Sequence, residues 1–511
     1  MNLYLDLDFR KAFAESEFFF GVANAPYLCE GGFNTPGGPQ NSMGYFEESG
    51  LVPPSGETTS YWTTYQEHID LARSHGLTAF RTGVEWARIQ PTTELREGPE
   101  PSWDPEAVET YAAMLHRVQE AGMVPIVTLH HFTHPAWLGP VFWDQDDSPE
   151  RALAFELRIV EELNTKIVEK GGTPLSNLIT FNELNLLPWK VIVGSLRIDS
   201  TANTPIHKFP AVFDNVLCAH VQVYDAILAL YESRGWQRPQ IGFGTATQSP
   251  YEFDKLMLDV VRLRSAGVAR ADVAAHLAEQ RQAWLDALTA LARRQLTDSQ
   301  MEFWLADVRS AQEHIDGSRF ERTLEALYQS KTAEKLDFIS ANIYEPFRNG
   351  RAAGVASQSP RWWEFAADGD IYYSMIHAYN HGNTTLPMYM GENSLAYEQP
   401  FDGEAVSRPD GWTRERYFKT YFMEMVRCIA EGVPIKGYLY WSLVDDFEWD
   451  AGFTPRLGLH NYDYPSKKIR ETDGLGENSG YIYQYLIAAL RSGDKQRIRE
   501  AFVNTVPTPP M

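Results

Sequence analysis

The chain has 511 residues, 44% of them hydrophobic and 13% aromatic, a composition that excludes a disordered chain and leaves ample material for a core. With 45 Lys and Arg against 68 Asp and Glu, the net charge is −23. Such a surface repels nucleic acid and anionic membranes, so a small neutral partner is expected and a nucleic-acid partner is not.

The opening, MNLYLDLDFRKAFAESE, places Asp6, Asp8, Arg10 and Lys11 where a secretion signal needs an apolar core. No apolar run approaches membrane-spanning length. Cys29, Cys218 and Cys428 are far apart and match neither a disulfide framework nor a zinc spacing. Reduced thiols in a cytoplasmic protein are therefore expected, with no metal and no cofactor, and a homo-oligomer is left open.

Eight short apolar runs follow one another: FFFGVANA, AFRTGVEW, MVPIVTLHHF, LITFNEL, QIGFGTAT, LDFISANIY, PMYMGENS and KGYLYWSLVD. Each ends in polar or aromatic residues. Between them lie segments with apolar spacing near three and four, which predict helices over Tyr61 to His75 and Pro105 to Ala121. The second has Asp104 as N-cap and Pro105 at its first position. Strands alternating with helices imply parallel pairing, and eight units imply an α/β protein built as a (β/α)8 barrel. We read one domain over 1–511, with a helical insertion at about 254–330 after the fifth strand and a frayed tail at about 505–511. Thr35 to Gly44 and Pro53 to Ser60 read as loops.

Functional groups in such barrels gather where the strands end. Glu183 ends the fourth run and Glu392 the seventh, so two glutamates far apart in sequence face one mouth. Alone, each could be a salt bridge or a helix cap. Paired carboxylates across a pocket are the machinery of glycoside hydrolysis, with retention at about 5–5.5 Å separation and inversion at about 6.5–9.5 Å. The companions favour that chemistry. Arg81 lies inside the second strand, where a buried cation needs a carboxylate. His131 ends the third strand, Asn342 and Tyr344 end the sixth, and Trp441, Glu448 and Trp449 combine stacking faces with an acceptor for hydroxyl pairs.

The stretches FFFGVANAPYLCEG, FRTGVEWARIQP, TLHHF, TFNEL, YMGENS and WSLVDDFEWDAGFTPRLGLHNYDY resemble the successive signatures of glycoside hydrolase family 1, the retaining β-glucosidase family, from about Phe18 to Ile487. The resemblance implies Glu183 as acid/base and Glu392 as nucleophile, with Asn182 on the 2-hydroxyl. It implies that Arg81, Tyr344 and Asn342 orient Glu392, Arg81 and Tyr344 holding it ionised by lowering its pKa, while Glu183 stays protonated. His131, Glu448 and Trp449 match hydroxyl-binding positions, Trp441 lies beneath the ring, and Phe132 stands where the family commonly has Trp.

Several positions depart from the family pattern. Leu28 replaces a Gln that binds the 3- and 4-hydroxyls, and Leu457 replaces an aromatic near the 6-position. Leu184 replaces Pro, and Gly391 replaces Thr. These changes put ordinary glucose specificity in doubt. Nothing beside Trp449 supplies the basic cluster that 6-phosphosugars require. The expected substrate is a small neutral β-glycoside or oligosaccharide, with Trp362 and Trp363 as outer subsites or packing residues. A transglycosidase using the same intermediate, and a catalytically silent carbohydrate-binding barrel, are the alternatives.

Overall fold

The computed structural model describes residues 6–188, 209–347, 363, 367–383 and 385–509. Nine strands form one parallel sheet: β1 Phe19–Ala23, β2 Ala79–Gly83, β3 Val124–His130, β4 Asn177–Phe181, β5 Gln240–Gly242, β6 Gly244–Ala246, β7 Ile339–Asn342, β8 Met388–Glu392 and, beyond a short β9 Tyr397–Glu398, β10 Ile435–Trp441. Their lateral order, β5-β4-β3-β2-β1-β10-β8-β7-β6, is that of a barrel. β5 and β6 are the two halves of the fifth predicted strand, interrupted at Phe243. Counted as runs, the eight expected strands are all present, and the architecture is the (β/α)8 barrel.

The predicted helices form for the reasons that the sequence supplies. Tyr61–Ser74 and Pro105–Glu120 are helical, and Asp104 caps the second by accepting from the amides of Glu106 at 2.9 Å and Ala107 at 3.2 Å. Between the fifth and sixth runs stand the helices Leu256–Arg262, Val273–Gln295, Asp298–His314 and Glu321–Gln329. Arg294 ties the second of these to Asp370 at 2.7 Å, at the start of the helix Gly369–Asn380.

Side chains alternate along each strand, so every second residue enters the barrel. Ala79, Ile126, Ile179, Phe338 and Leu439 make an apolar plug, and the same cluster continues upward to Trp441, Leu28, Phe447 and Leu457. Two residues beyond Ala79 and Ile126 come Arg81 and Thr128, and there the interior turns polar. Register sets this layer: Arg81 lies beside Ala23 and Ile126, and Asn342 beside Glu392. A register shift between Ala341 and Asn342 re-aims the side chains at that strand end, as bulges do.

Candidate active site

Arg81 is the organising cation. It is fully buried, and its guanidinium donates from Nε to Thr128 Oγ1 at 3.0 Å, from Nη1 to the Gly391 carbonyl at 3.1 Å and to Glu392 Oε1 at 2.8 Å, and from Nη2 to Asn182 Oδ1 at 2.6 Å. A charge taken out of water costs several kcal/mol unless it is paired and hydrogen-bonded on all sides, and that condition is met here. Asn342 Nδ2 donates to Asn182 Oδ1 and to Glu183 Oε1, both at 3.1 Å. Glu392, Arg81, Asn182, Asn342 and Glu183 are thus joined in one chain of hydrogen bonds, with the two carboxylates at its ends.

The placement of Asn342 corrects an expectation. It was expected to orient Glu392, yet its amide reaches Glu183, because the register shift at the end of β7 turns the side chain towards the fourth strand. Tyr344 does face Glu392, with its hydroxyl 3.5 Å from Oε2. Burial and the surrounding carboxylates raise the Tyr344 pKa well above its ordinary value, so the hydroxyl remains a donor.

The direction of the Glu392 pKa also differs from expectation. Burial pushes its pKa up, to about 8; Arg81 pulls the other way, and the Glu183 charge adds to the rise. The lowering expected from Arg81 is present but is outweighed by desolvation. Arg81 is accordingly the group that keeps the ionised form within reach.

The remaining expected residues converge on the same mouth. Asn182 Nδ2 donates to His131 Nε2 at 3.0 Å, and the His131 ring stacks on Trp449 with centroids 6.2 Å apart. Phe132 meets Trp449 edge-on at 5.4 Å. Trp441 Nε1 donates to Glu448 Oε1 at 3.1 Å. Phe132, Glu183 and Trp449 have φ of 70°, 44° and 48°. Such backbone costs about 1–3 kcal/mol per residue and persists where surrounding structure over-determines it.

Leu28 stands apart. It has no exposed surface and packs into the apolar cluster with Trp441 and Phe447, so the structure does not bring it to the open face of the pocket. The carbonyl of Leu28 accepts from the Phe447 amide at 3.1 Å, which ties the first strand's loop to the Glu448 loop. Trp363 lines a neighbouring cavity, and Trp362 lies outside the described residues. Two further residues were not anticipated. Thr128 completes the Arg81 shell, and its inward register two residues after Ile126 was the available signal. Tyr27 stacks on Trp449 at 5.5 Å and donates to Glu47 at 2.7 Å; its place just after the first strand was the signal.

Two departures have local explanations. A side chain at Gly391 would collide with Ser340 Oγ and lie 2.6 Å from Asn342 Oδ1, so the backbone must be bare for Asn342 to take its position. The Leu184 amide donates to the Gly244 carbonyl at 2.9 Å, stitching the end of β4 to β6; a proline there could not donate. Among the described residues, no cluster of three or more His, Cys, Asp or Glu side chains is arranged to hold a metal ion.

A parallel barrel with two linked carboxylates at the strand ends, framed by indole rings, defines a glycoside hydrolase. The chain belongs to glycosyl hydrolase family 1, whose family model matches residues 10–491. It is similar to the β-glucosidase A of Thermotoga maritima, 24% identical over 497 residues covering 93% of this chain and 98% of the relative. It is equally similar, at 24% identity over 452 residues, to the β-galactosidase of Sulfolobus acidocaldarius, with 82% and 83% covered. The family 1 β-glucosidase from Thermotoga maritima in complex with isofagomine lactam shares the fold, with a TM-score of 0.66 at 20% identity over 93% of this chain and 98% of that one.

Proposed function

We propose that this family 1 enzyme is an exo-acting, retaining β-glycosidase whose nucleophile is Glu392 and whose acid/base is Glu183. The observation that carries the reading is the hydrogen-bonded chain from Glu392 through Arg81, Asn182 and Asn342 to Glu183, which fixes the two carboxylates relative to each other.

In the first half-reaction Glu183 gives its proton to the glycosidic oxygen as the bond to the anomeric carbon breaks. Glu392 forms the new bond to that carbon from the opposite face. In the second half-reaction Glu183, now a carboxylate, takes a proton from water, whose oxygen displaces Glu392. Asn182 meets the 2-hydroxyl, where hydrogen bonds strengthen as positive charge develops on the ring. His131, Glu448 and Trp449 bind the remaining hydroxyls, Trp441 carries the ring face and Phe132 closes the wall.

The substrate class is a small neutral β-glycoside. The names of two relatives, β-glucosidase A and β-galactosidase, support a neutral hexose as the glycone. Among the described residues no helix is long and apolar enough to cross a membrane. The three free, buried cysteines support residence in a reducing compartment such as the cytoplasm.

The test is release of nitrophenol from a panel of aryl β- and α-glycosides by the wild type and Glu392→Ala. Turnover confined to β-glycosides and lost in the variant is expected. Turnover of α-glycosides, or an active variant, would refute the assignment.

A further inference from the structure

Glu392 has two unlike flanks. On one, Arg81 leads to Asn182, whose amide suits a hydroxyl. On the other stands Tyr344. Tyr344 also forms part of the wall of a cavity of about 50 Å³, together with Leu457, Ser394, Tyr417, Arg408 and Ala367. A water needs about 10–15 Å³ on the same measure, so the space accepts a group of a few non-hydrogen atoms.

The anomeric carbon of a pyranose has two ring neighbours. One is C2, with its hydroxyl; the other is the ring oxygen, which leads to C5 and the exocyclic C6. The amide-bearing flank of Glu392 suits C2. The Tyr344 flank then faces the ring oxygen, and a substituent on C6 is directed towards the cavity.

The walls narrow the chemistry of that substituent. Ile343, Ile371, Leu395 and Leu457 are apolar contributors. The Arg408 guanidinium is committed to Asp410, at 3.0 Å from Nε and 2.6 Å from Nη2, and to the carbonyls of Ala396 and Trp363. Glu345 adds a further acid to the lining. A cation already matched by its own carboxylate, beside a second carboxylate, offers nothing to a phosphate or an acidic sugar.

Resting on the β-glycosidase reading above, we infer that this cavity is a side pocket for a small neutral acyl group esterified to O6 of the glycone, and that the enzyme prefers 6-O-acylated β-glycosides to unsubstituted ones.

The experiment compares kcat/KM for 4-nitrophenyl β-glucoside, its 6-O-acetyl ester and its 6-phosphate, in wild type, Ala367→Leu and Leu457→Phe. Ala367 is half-buried in the cavity wall, so a larger side chain there fills space with little penalty to the fold; Leu457→Phe fills it from a second lining position. The wild type is expected to prefer the acetyl ester at least tenfold. Ala367→Leu should remove that preference by lowering only the ester's value, leaving the plain glucoside within twofold, and Leu457→Phe should lower the ester-to-glucoside ratio as well. Equal or better turnover of the plain glucoside by wild type, an unchanged ratio in both variants, or a 6-phosphate that outruns the ester would overturn the inference and leave the glycosidase reading standing. No turnover of any β-glycoside would remove that reading and this inference together.

Discussion

The polar floor around Arg81 and the apolar wall around Leu28 and Leu457 lie within one barrel mouth and are built on opposite principles. On the floor, each side chain is held by at least one named partner, and the Arg81 guanidinium alone serves four acceptors. Deleting one member leaves buried partners unsatisfied, so the network is all-or-none. On the wall, the side chains of Leu28, Leu457 and Phe447 pack with one another in an apolar cluster, and such packing tolerates exchanges of similar volume. The polar floor is therefore over-determined while the apolar packing beside it is free to drift. The departures expected from the sequence follow that division: Glu183, Glu392, Arg81 and Asn182 belong to stretches that resemble the family signatures, and Leu28 and Leu457 stand where the resemblance implies other residues.

The sharpest way to break this contrast is Arg81→Met, which should cost about 3–5 kcal/mol of stability by leaving Glu392 buried beside no cation. It should also lower kcat/KM by about 10²-fold or more, read by urea unfolding and aryl-glycoside kinetics. The sign of its pH effect follows from the direction in which Arg81 moves the Glu392 pKa. Glu392 attacks as an anion, burial already raises its pKa to about 8, and removing Arg81 removes the main influence that lowers it. The acid limb of the kcat/KM profile should therefore move to higher pH; a limb that stays put would show that Arg81 does not govern Glu392.

Gly391→Thr, the change towards the family pattern, should be harmful here. It drives a Cβ against Ser340 and Asn342, at about 1–3 kcal/mol, and displaces the amide that holds Glu183. A thermal melt and kcat measured together would check it, and an unaltered kcat would show that Asn342 is not needed in place.

On the wall, polarity and volume can be separated. Leu28→Gln should cost about 1–3 kcal/mol, since its amide would enter a fully buried apolar cluster. Leu28→Met should cost less than about 1.5 kcal/mol. Equal costs from the two substitutions, read by chemical denaturation, would mean that the wall is not the dry contact surface described.

Much of this was legible in the sequence because strand ends and period-two burial are local signals. The eight runs, the Asp104 cap, the inward Arg81 and the two terminal glutamates all follow from patterns within a dozen residues. What was hidden depends on register and burial, which are set between distant segments. The break at Phe243, the shift that hands Asn342 to Glu183 and the enclosure of Leu28 arise only when strands meet. The direction of the Glu392 pKa belongs to the same class. Arg81 could be read as its partner, but the extent of desolvation that outweighs Arg81 is a property of the closed pocket.

The most direct test of the account is mass spectrometry of the enzyme after reaction with a 2-deoxy-2-fluoro β-glucoside bearing a good leaving group, which slows breakdown of a covalent intermediate. A mass gain of one glycosyl unit on the peptide that contains Glu392, absent from Glu392→Ala, is the predicted result. Turnover with no adduct, or an adduct on another residue, would contradict the assignment of Glu392 as nucleophile.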